Sequence, residues 1–211
     1  MTIKLEASLN KLWFFSGLIF LLLLLVRPQA SFAQWRTELT PSVSVGELYD
    51  DNIYLDSTDE KSDYITTVTP GLNLNVLSEH SQLELAYAPT FVWYAEEDQN
   101  NTVRHLGSVT YGQDLSQHWR FDLTETYLRS EEPIETTEEV EGVRSTRNTY
   151  ERIGGSASLR YLFGPENALT MGYRHSLLEN EDITLDDGMI SRPFATAIYW
   201  FNVKNGLEVD Y

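Results

Sequence analysis

The chain has no cysteine, few basic residues and, beyond its first segment, no long hydrophobic run. Without cysteine it holds no disulfide, no thiolate metal site and no thiol nucleophile. Its 15 Lys and Arg are outnumbered by 32 Asp and Glu, for a formal net charge of −17. Since so acidic a chain repels a polyanion, we expect no nucleic-acid partner. The hydrophobic content of 42% is too high for a disordered chain, so a packed or membrane-embedded domain is expected.

The first segment is predicted to be an export signal. Lys4 and Lys11 precede an apolar run from Leu12 to Val26, and small residues follow up to Ala33. This order is typical of a secretory signal peptide, with cleavage expected between Ala33 and Gln34. The alternative is an uncleaved anchor, but the run is shorter than the ~20 residues that a spanning helix needs. We expect residues 1–33 to be removed and residues 34–211 to be exported.

The exported part alternates with a period of two, and we find no helical period in it. Between Gln82 and Tyr94, for example, Leu, Tyr, Phe and Trp at odd positions alternate with Gln, Glu, Ala and Thr at even ones. The pattern predicts nine strands, at 35–49, 64–76, 82–94, 102–113, 119–129, 151–163, 168–177, 192–201 and 206–211.

The connections between these strands alternate in length. Long acidic stretches are expected at 50–63, 95–101, 130–148 and 178–191, and short turns at 78–81, 114–118, 164–167 and 202–205. Such alternation, with strands of about ten residues, is typical of outer-membrane barrels. A secreted soluble sandwich is the alternative, and it predicts more even loop lengths.

Aromatic residues cluster at both ends of the predicted strands, as two interfacial girdles would. Their chance placement in strands is the alternative explanation. The rings beside the short turns are Trp35, Trp119, Tyr161, Phe163, Trp200 and Phe201, and those beside the long loops are Tyr49, Tyr64, Trp93, Tyr94, Tyr127 and Tyr150. We therefore predict an all-β fold, an antiparallel transmembrane β-barrel built of up-and-down hairpins.

Nine strands is an odd number, whereas single-chain bacterial barrels have an even one. We therefore expect this sequence to be the N-terminal portion of a longer barrel. The alternative is a complete eight-strand barrel that ends near Phe201, whose interior would be filled by side chains and would not conduct.

If the apolar positions face lipid, the opposite positions line the lumen. The charged residues predicted to line it are Arg36, Arg120, Arg152, Arg160, Arg174, Glu38, Glu84 and Asp122. The arginines could contact the carboxylate or sulfate groups of a solute, with Ser, Thr and Asn meeting its sugars. Alternatively, they only pair with the three acidic residues to keep a polar interior neutral.

We predict no catalytic site, no metal site and no cofactor. The acidic loops could hold Ca²⁺ or Mg²⁺, yet no stretch has the spaced carboxylates and internal Gly of a calcium loop. His175 is followed by Ser176, but neighbours on a strand point to opposite faces, so the two cannot form a nucleophile and base pair.

Two stretches of the first hairpin, Gly46 to Tyr54 and Ser62 to Leu72, resemble the putative beta-barrel porin-2 family. Its members are outer-membrane proteins of Gram-negative bacteria, many of them associated with exopolysaccharide systems. The resemblance implies an outer-membrane location, with lipid and lipopolysaccharide as neighbours and a polysaccharide or small polar solute as passenger. It carries over no site residue.

Two functions remain open at this stage. The first is a porin-like channel or the outer-membrane component of a polysaccharide export system. The second is a non-conducting surface or scaffold barrel whose acidic extracellular loops bind a partner.

Overall fold

The computed structural model describes residues 35–54, 56, 58–131 and 148–211. The predicted signal peptide, its cleavage position and most of the third long loop lie outside the described residues. The strands are β1 Arg36–Asp50, β2 Asp63–Leu77, β3 Ser81–Tyr94, β4 Thr102–Asp114, β5 Trp119–Ser130, β6 Tyr150–Leu162, β7 Ala168–Asn180, β8 Gly188–Asn202 and β9 Asn205–Asp210.

The strands form a single antiparallel sheet in which every strand pairs with its neighbours in sequence. The pairing of β1 with β2 runs unbroken from Arg36 opposite Leu77 to Asp50 opposite Asp63. In the described part of the chain, β1 and β9 are the two edges of this sheet and do not pair with each other. The predicted all-β antiparallel fold is thus confirmed, and the open sheet is consistent with an incomplete barrel, because a spanning barrel must pair every edge.

The strands occupy the predicted stretches, with differences at their loop ends. β7 continues to Asn180 and β8 begins at Gly188, so the fourth long loop is shorter than predicted. Apolar residues are adjacent at these strand ends, Leu177 with Leu178 and Met189 with Ile190, so the period of two did not show them. The second loop also contains a short 3₁₀ helix, Asp98–Asn100, that the pattern did not predict. Among the described residues, no helix is long and apolar enough to cross a membrane.

The register of the strands keeps most apolar side chains on one face of the sheet and most polar side chains on the other. Leu39, Leu74 and Leu85 are successive partners across β1, β2 and β3. We call the face that carries these leucines the apolar face. It consists of the odd-numbered residues of every strand except β2, in which it consists of the even-numbered residues. The opposite positions form the polar face, where Asn75, Glu84 and Thr110 are successive partners.

At the end of the sheet where the short turns lie, the apolar face carries a continuous row of aromatic rings. Ring centroids are 4.6 Å apart for Trp119 and Tyr161, and 5.1 Å apart for Tyr199 and Phe201. Phe163 lies 6.3 Å from both Tyr161 and Tyr199 and joins the two pairs. Such a row suits one membrane interface.

Three rings of the predicted girdles lie on the polar face instead. Tyr94, Tyr150 and Trp200 occupy polar-face positions, and the first two are only 5% and 6% exposed. They are therefore corrections to the predicted girdles. The loop-side interface keeps Tyr49 beside Tyr64, 5.0 Å apart, on the apolar face.

Asp63 ties the first two long loops together. It lies on the loop side of the Tyr49–Tyr64 pair and is 2% exposed. Its carboxylate accepts backbone N–H bonds from Ala95, Glu96 and Glu97 of the second loop, at 2.9 to 3.2 Å, and from Tyr64 at 2.7 Å. Burial opposes ionisation, but the four donors together hold the pKa of Asp63 below its ordinary value.

The same two loops cover the ends of the polar face. Ile53 from the first loop is 1% exposed and packs with Ile65, Val92 and Tyr94, which form the only fully buried apolar cluster among the described residues. Next to it, the Tyr54 hydroxyl donates to Glu97 at 2.8 Å, and the Lys61 ammonium group donates to Glu97 at 3.3 Å. These acidic loops are thus held in a defined arrangement.

We expect Asp63→Asn to loosen these loops. The amide nitrogen that replaces the second carboxylate oxygen cannot accept the hydrogen bonds that the backbone N–H groups of Glu96 and Glu97 donate there. Its own N–H groups would instead lie against these backbone N–H groups. Limited proteolysis should cleave the first loop several-fold faster in the variant, since opening of the loop controls cleavage.

The protection of the first loop from proteolysis in the wild-type protein should also depend on pH. A lowered pKa means that the stabilisation is complete above the ordinary Asp value of ~3.9 and is lost as the pH falls below it. Protection should therefore decline between about pH 4 and pH 2 in the wild type and stay flat in Asp63→Asn. Equal cleavage of both proteins across this range would contradict the role of Asp63.

Candidate functional site: the polar face

All eight charged residues predicted to line the lumen lie on the polar face. Arg120 of β5 is directly opposite Arg160 of β6, near the short turns. Arg174 of β7 is opposite Ser156, midway along the strands, and Arg152 is opposite Leu178, nearer the long loops. The remaining four are Arg36 and Glu38 on β1, Glu84 on β3, and Asp122, which lies beside Arg120 on β5.

Two of these arginines pair with carboxylates, as the neutral-interior alternative expects. The Arg120 guanidinium donates to Asp122 at 2.9 Å and to Asp114 at 3.0 Å. It lies over Gly112, where a Cβ atom would come within 2.5 Å of it. Arg36 lies 3.5 Å from Glu38, but both side chains are more than half exposed, so this pair contributes little.

The structure does not bring Arg160 or Arg174 to any of the predicted acidic partners. Within the described residues, no carboxylate lies within 4.0 Å of the guanidinium groups of Arg160 or Arg174. Arg174 instead lies over the ring of Phe194, 5.3 Å from its centroid. Glu84 accepts a hydrogen bond from the Asn73 amide at 3.1 Å. Charge on this face is thus only partly neutralised by local pairs.

Arg192 joins this set and was missed by the sequence analysis. It lies on β8 directly opposite Arg174, and its side chain, too, has no carboxylate within 4.0 Å in the described part of the chain. It falls where the alternation is weak, between Met189 and Phe194. Arg192 is an even-numbered residue of β8, as Phe194 and Thr196 are, and residues two apart along a strand share a face. This spacing is the signal that could have placed it on the polar face.

Two open cavities lie along this face. The first, of about 460 Å³, lies at the loop end and is lined by Tyr54, Asn100, Glu131 and Asp182, among others. Glu131 is held there by Arg104, whose Nε donates to it at 2.8 Å. The second, of about 410 Å³, lies midway along β5, β6 and β7 and includes Arg152 and Arg174.

The apolar face carries one polar pair near the middle of its strands. The His175 ring nitrogen Nε2 lies 2.9 Å from the Glu125 carboxylate, and the Glu125 side chain is 10% exposed. Gly155 lies between them, because a Cβ atom there would come within 2.5 Å of the Glu125 carboxylate. The sequence pattern does not show this pair, since β5 and β7 are adjacent neither in the sequence nor in the sheet.

His175 and Ser176 point to opposite faces, as the strand geometry predicted. Ser176 lines the second cavity on the polar face, while the His175 ring lies against Glu125 and Tyr173 on the apolar face. In the part of the chain that is described, no group of three or more His, Asp and Glu side chains could hold a metal ion. On β5 to β8 the polar face therefore offers mainly guanidinium and hydroxyl groups.

A single antiparallel sheet with an aromatic-edged apolar face and a charged polar face is the pattern of an outer-membrane β-barrel. The family model described as Putative beta-barrel porin 2 matches residues 38–192, and the chain belongs to this family. The resemblance drawn from the first hairpin is confirmed. Membership in a porin-like barrel family indicates an outer-membrane protein. No curated protein and no solved structure matches the chain.

We expect Glu125→Ala to destabilise the sheet in lipid. The variant leaves the His175 ring on the apolar face without its carboxylate, which costs about 1–3 kcal/mol. Urea unfolding of the protein in lipid vesicles measures the loss in free energy of unfolding. The double variant Glu125→Leu with His175→Leu removes both polar groups and should recover most of the lost stability. Equal stability of the single and double variants would contradict this account.

Proposed function

We propose that the chain supplies the wall of a porin-like outer-membrane channel that prefers anionic solutes, and that the channel serves polysaccharide export. The family supports the porin-like barrel, and the polar face supports the preference for anions. The association of related proteins with exopolysaccharide systems suggests the class of solute. We infer no catalytic role.

The observation that carries the proposal is the placement of arginines at successive levels of the polar face. Arg160 lies near the short turns, Arg174 and Arg192 lie midway, and Arg152 lies nearer the long loops. Three of them, Arg160, Arg174 and Arg192, are exposed. A guanidinium group without a carboxylate partner attracts anions, and several along one path lower the cost of moving an anion through a pore.

The chain as a whole is acidic, which makes this placement informative. Most of its acidic residues lie in the long loops rather than on the strands. On β5 to β8, however, the polar face carries five arginines and one carboxylate, that of Asp122. Positive charge on these four strands is thus present from the short-turn end to the long-loop end, so a solute passing along this part of the face would meet it at each level.

A second candidate is the non-conducting scaffold barrel. The ordered loops favour it, because Asp63 and the contacts of Tyr54 and Lys61 with Glu97 hold an acidic surface in place. A basic partner, or lipopolysaccharide through bridging cations, would fit such a surface. This role needs no open lumen.

Single-channel recording from the native full-length protein in a planar bilayer tests whether it forms an anion-preferring channel. We expect steady conductance with a preference for chloride over potassium in the wild type. The triple variant Arg160→Ser, Arg174→Ser and Arg192→Ser should shift the reversal potential in a salt gradient toward cation preference, because the wall loses positive charge.

The matched control is Arg129→Ser. It makes the same substitution on the apolar face, so the preference for anions should not change. A folded, heat-modifiable barrel that never conducts would overturn the channel and leave the scaffold role. A reversal potential unchanged in the triple variant would overturn the role of the arginines.

A further inference from the structure

Two arginines lie side by side on the polar face with no negative charge against them. Arg174 of β7 and Arg192 of β8 are direct partners in the register. Side chains in such a position have Cβ atoms about 4.5–5.5 Å apart, and like charges there repel each other. Both residues are exposed, and in the described part of the chain no carboxylate lies within 4.0 Å of either guanidinium group. We refer to Arg174 and Arg192 as the arginine pair.

A second set of opposed arginines on the same face has negative charge beside it. Arg120 of β5 is opposite Arg160 of β6. The Arg120 guanidinium group donates to Asp122 at 2.9 Å and to Asp114 at 3.0 Å, so two carboxylates of the chain offset the charge at this level. The arginine pair has no comparable carboxylates among the described residues. An anion from solution can supply the negative charge that these residues do not.

The carboxylates on the neighbouring strand β9 are too far along the sheet to serve the arginine pair. On the polar face of β9, Asp210 is opposite Thr196 and Glu208 is opposite Ile198. Thr196 is four residues from Arg192, or roughly 13 Å at the rise of a strand, and Ile198 is farther. The Asp210 carboxylate also accepts a hydrogen bond from the Thr196 hydroxyl at 2.7 Å.

The ring of Phe194 positions one member of the arginine pair. It lies over Gly172 on β7, in space that a Cβ atom at Gly172 would occupy. The Arg174 guanidinium carbon lies 5.3 Å from the ring centroid. An aromatic face attracts a cation but carries no formal charge, so the contact orients the guanidinium group without neutralising it. The N–H donors of a guanidinium group lie in its plane and remain available to an oxyanion.

Hydroxyl groups lie next to the arginine pair on the β6 side. Ser156 is directly opposite Arg174, and Ser158 is directly opposite Gly172. A phosphate group has three oxygens that accept strongly and nearly two negative charges, so it can accept from two guanidinium groups and a hydroxyl together. A carboxylate has two oxygens and one charge. It would match one arginine and leave the other without a counter-charge.

We infer that the arginine pair binds one phosphate group, either free phosphate or the monoester of a small solute. The inference rests on the proposed function, because it takes the polar face to be open to water and to passing anions. One phosphate between the two guanidinium groups replaces their repulsion with two charge-assisted contacts. The site therefore selects phosphate groups from among the anions that the channel admits.

Calorimetric titration of the native full-length protein in detergent micelles tests the site without relying on conductance. The probes are inorganic phosphate, glycerol 3-phosphate and acetate, at equal ionic strength and at a pH where phosphate carries about two charges. We expect phosphate to bind at least about tenfold more tightly than acetate, as a second charge-assisted contact contributes. Equal affinities would overturn the site. Binding of inorganic phosphate alone would assign it to free phosphate, and binding of both phosphates would assign it to phosphate groups of larger solutes.

Substitution of the two arginines tests whether they act on the same anion. Arg174→Ser and Arg192→Ser should each weaken phosphate binding about tenfold or more. The double variant should lose less binding free energy than the sum of the two single losses, because both residues contact one ligand. Each variant must show the heat-modifiable mobility of the folded barrel.

The matched control is Arg160→Ser, which removes the same charge from the same face but leaves the arginine pair intact. Screening by salt should keep its effect on phosphate binding below about twofold. A loss in Arg160→Ser as large as in Arg192→Ser would overturn the local site and leave only general attraction along the face.

Urea unfolding gives a second measurement. Phosphate should raise the unfolding midpoint of the wild type more than acetate does, and this difference should disappear in Arg192→Ser. Without phosphate, Arg192→Ser should be at least as stable as the wild type, because the repulsion within the arginine pair is gone. Equal stabilisation of both proteins by phosphate would contradict the site.

The two proposals fail in different ways. Phosphate binding by a barrel that does not conduct would overturn the channel and keep the phosphate site. An anion-preferring current from a protein that does not bind phosphate would do the reverse.

Discussion

The structure depends on one constraint, the antiparallel register that keeps a two-residue alternation in phase across every strand. A slip of one residue at any pairing would move all later side chains to the opposite face. The register holds from β1 to β8 without a shift, and its one irregularity is at Trp200 and Asn202, between β8 and β9. Because it holds, Leu39, Leu74 and Leu85 share the apolar face, and five of the six arginines of β5 to β8 share the polar face.

The exceptions to this separation are informative. Glu125 and His175 lie on the apolar face, but the Glu125 carboxylate and the His175 ring contact each other at 2.9 Å across the gap that Gly155 leaves. Tyr94 lies on the polar face, but it is buried under Ile53 of the first loop. In each case the residue that breaks the pattern has a partner from a strand or loop that is distant in sequence. Local deviations are tolerated where tertiary contacts satisfy them.

Charge is distributed along the strands as well as between the faces. The acidic loops are ordered at one end through Asp63, and guanidinium groups lie at mid-strand on the polar face. In the proposed channel, a solute that leaves the acidic loops would next meet these guanidinium groups. The family membership gives the barrel, and this distribution supports the proposed preference for anions.

Much of the molecule follows from the sequence alone. The period of two fixed nine strands, their order and the face of each predicted arginine, because alternation along a strand is a local property of the chain. The loop ends of β7 and β8 were harder to predict, since adjacent apolar residues there break the alternation. Only the tertiary structure decided which charges meet. Arg120 pairs with Asp114 and Asp122, Arg174 lies over Phe194, and Glu125 reaches His175. The contacts of Arg174 and Glu125 each join two different strands. Whether the two partners come within contact distance depends on the register of the strands and on the space that a glycine leaves, and no local sequence pattern shows either.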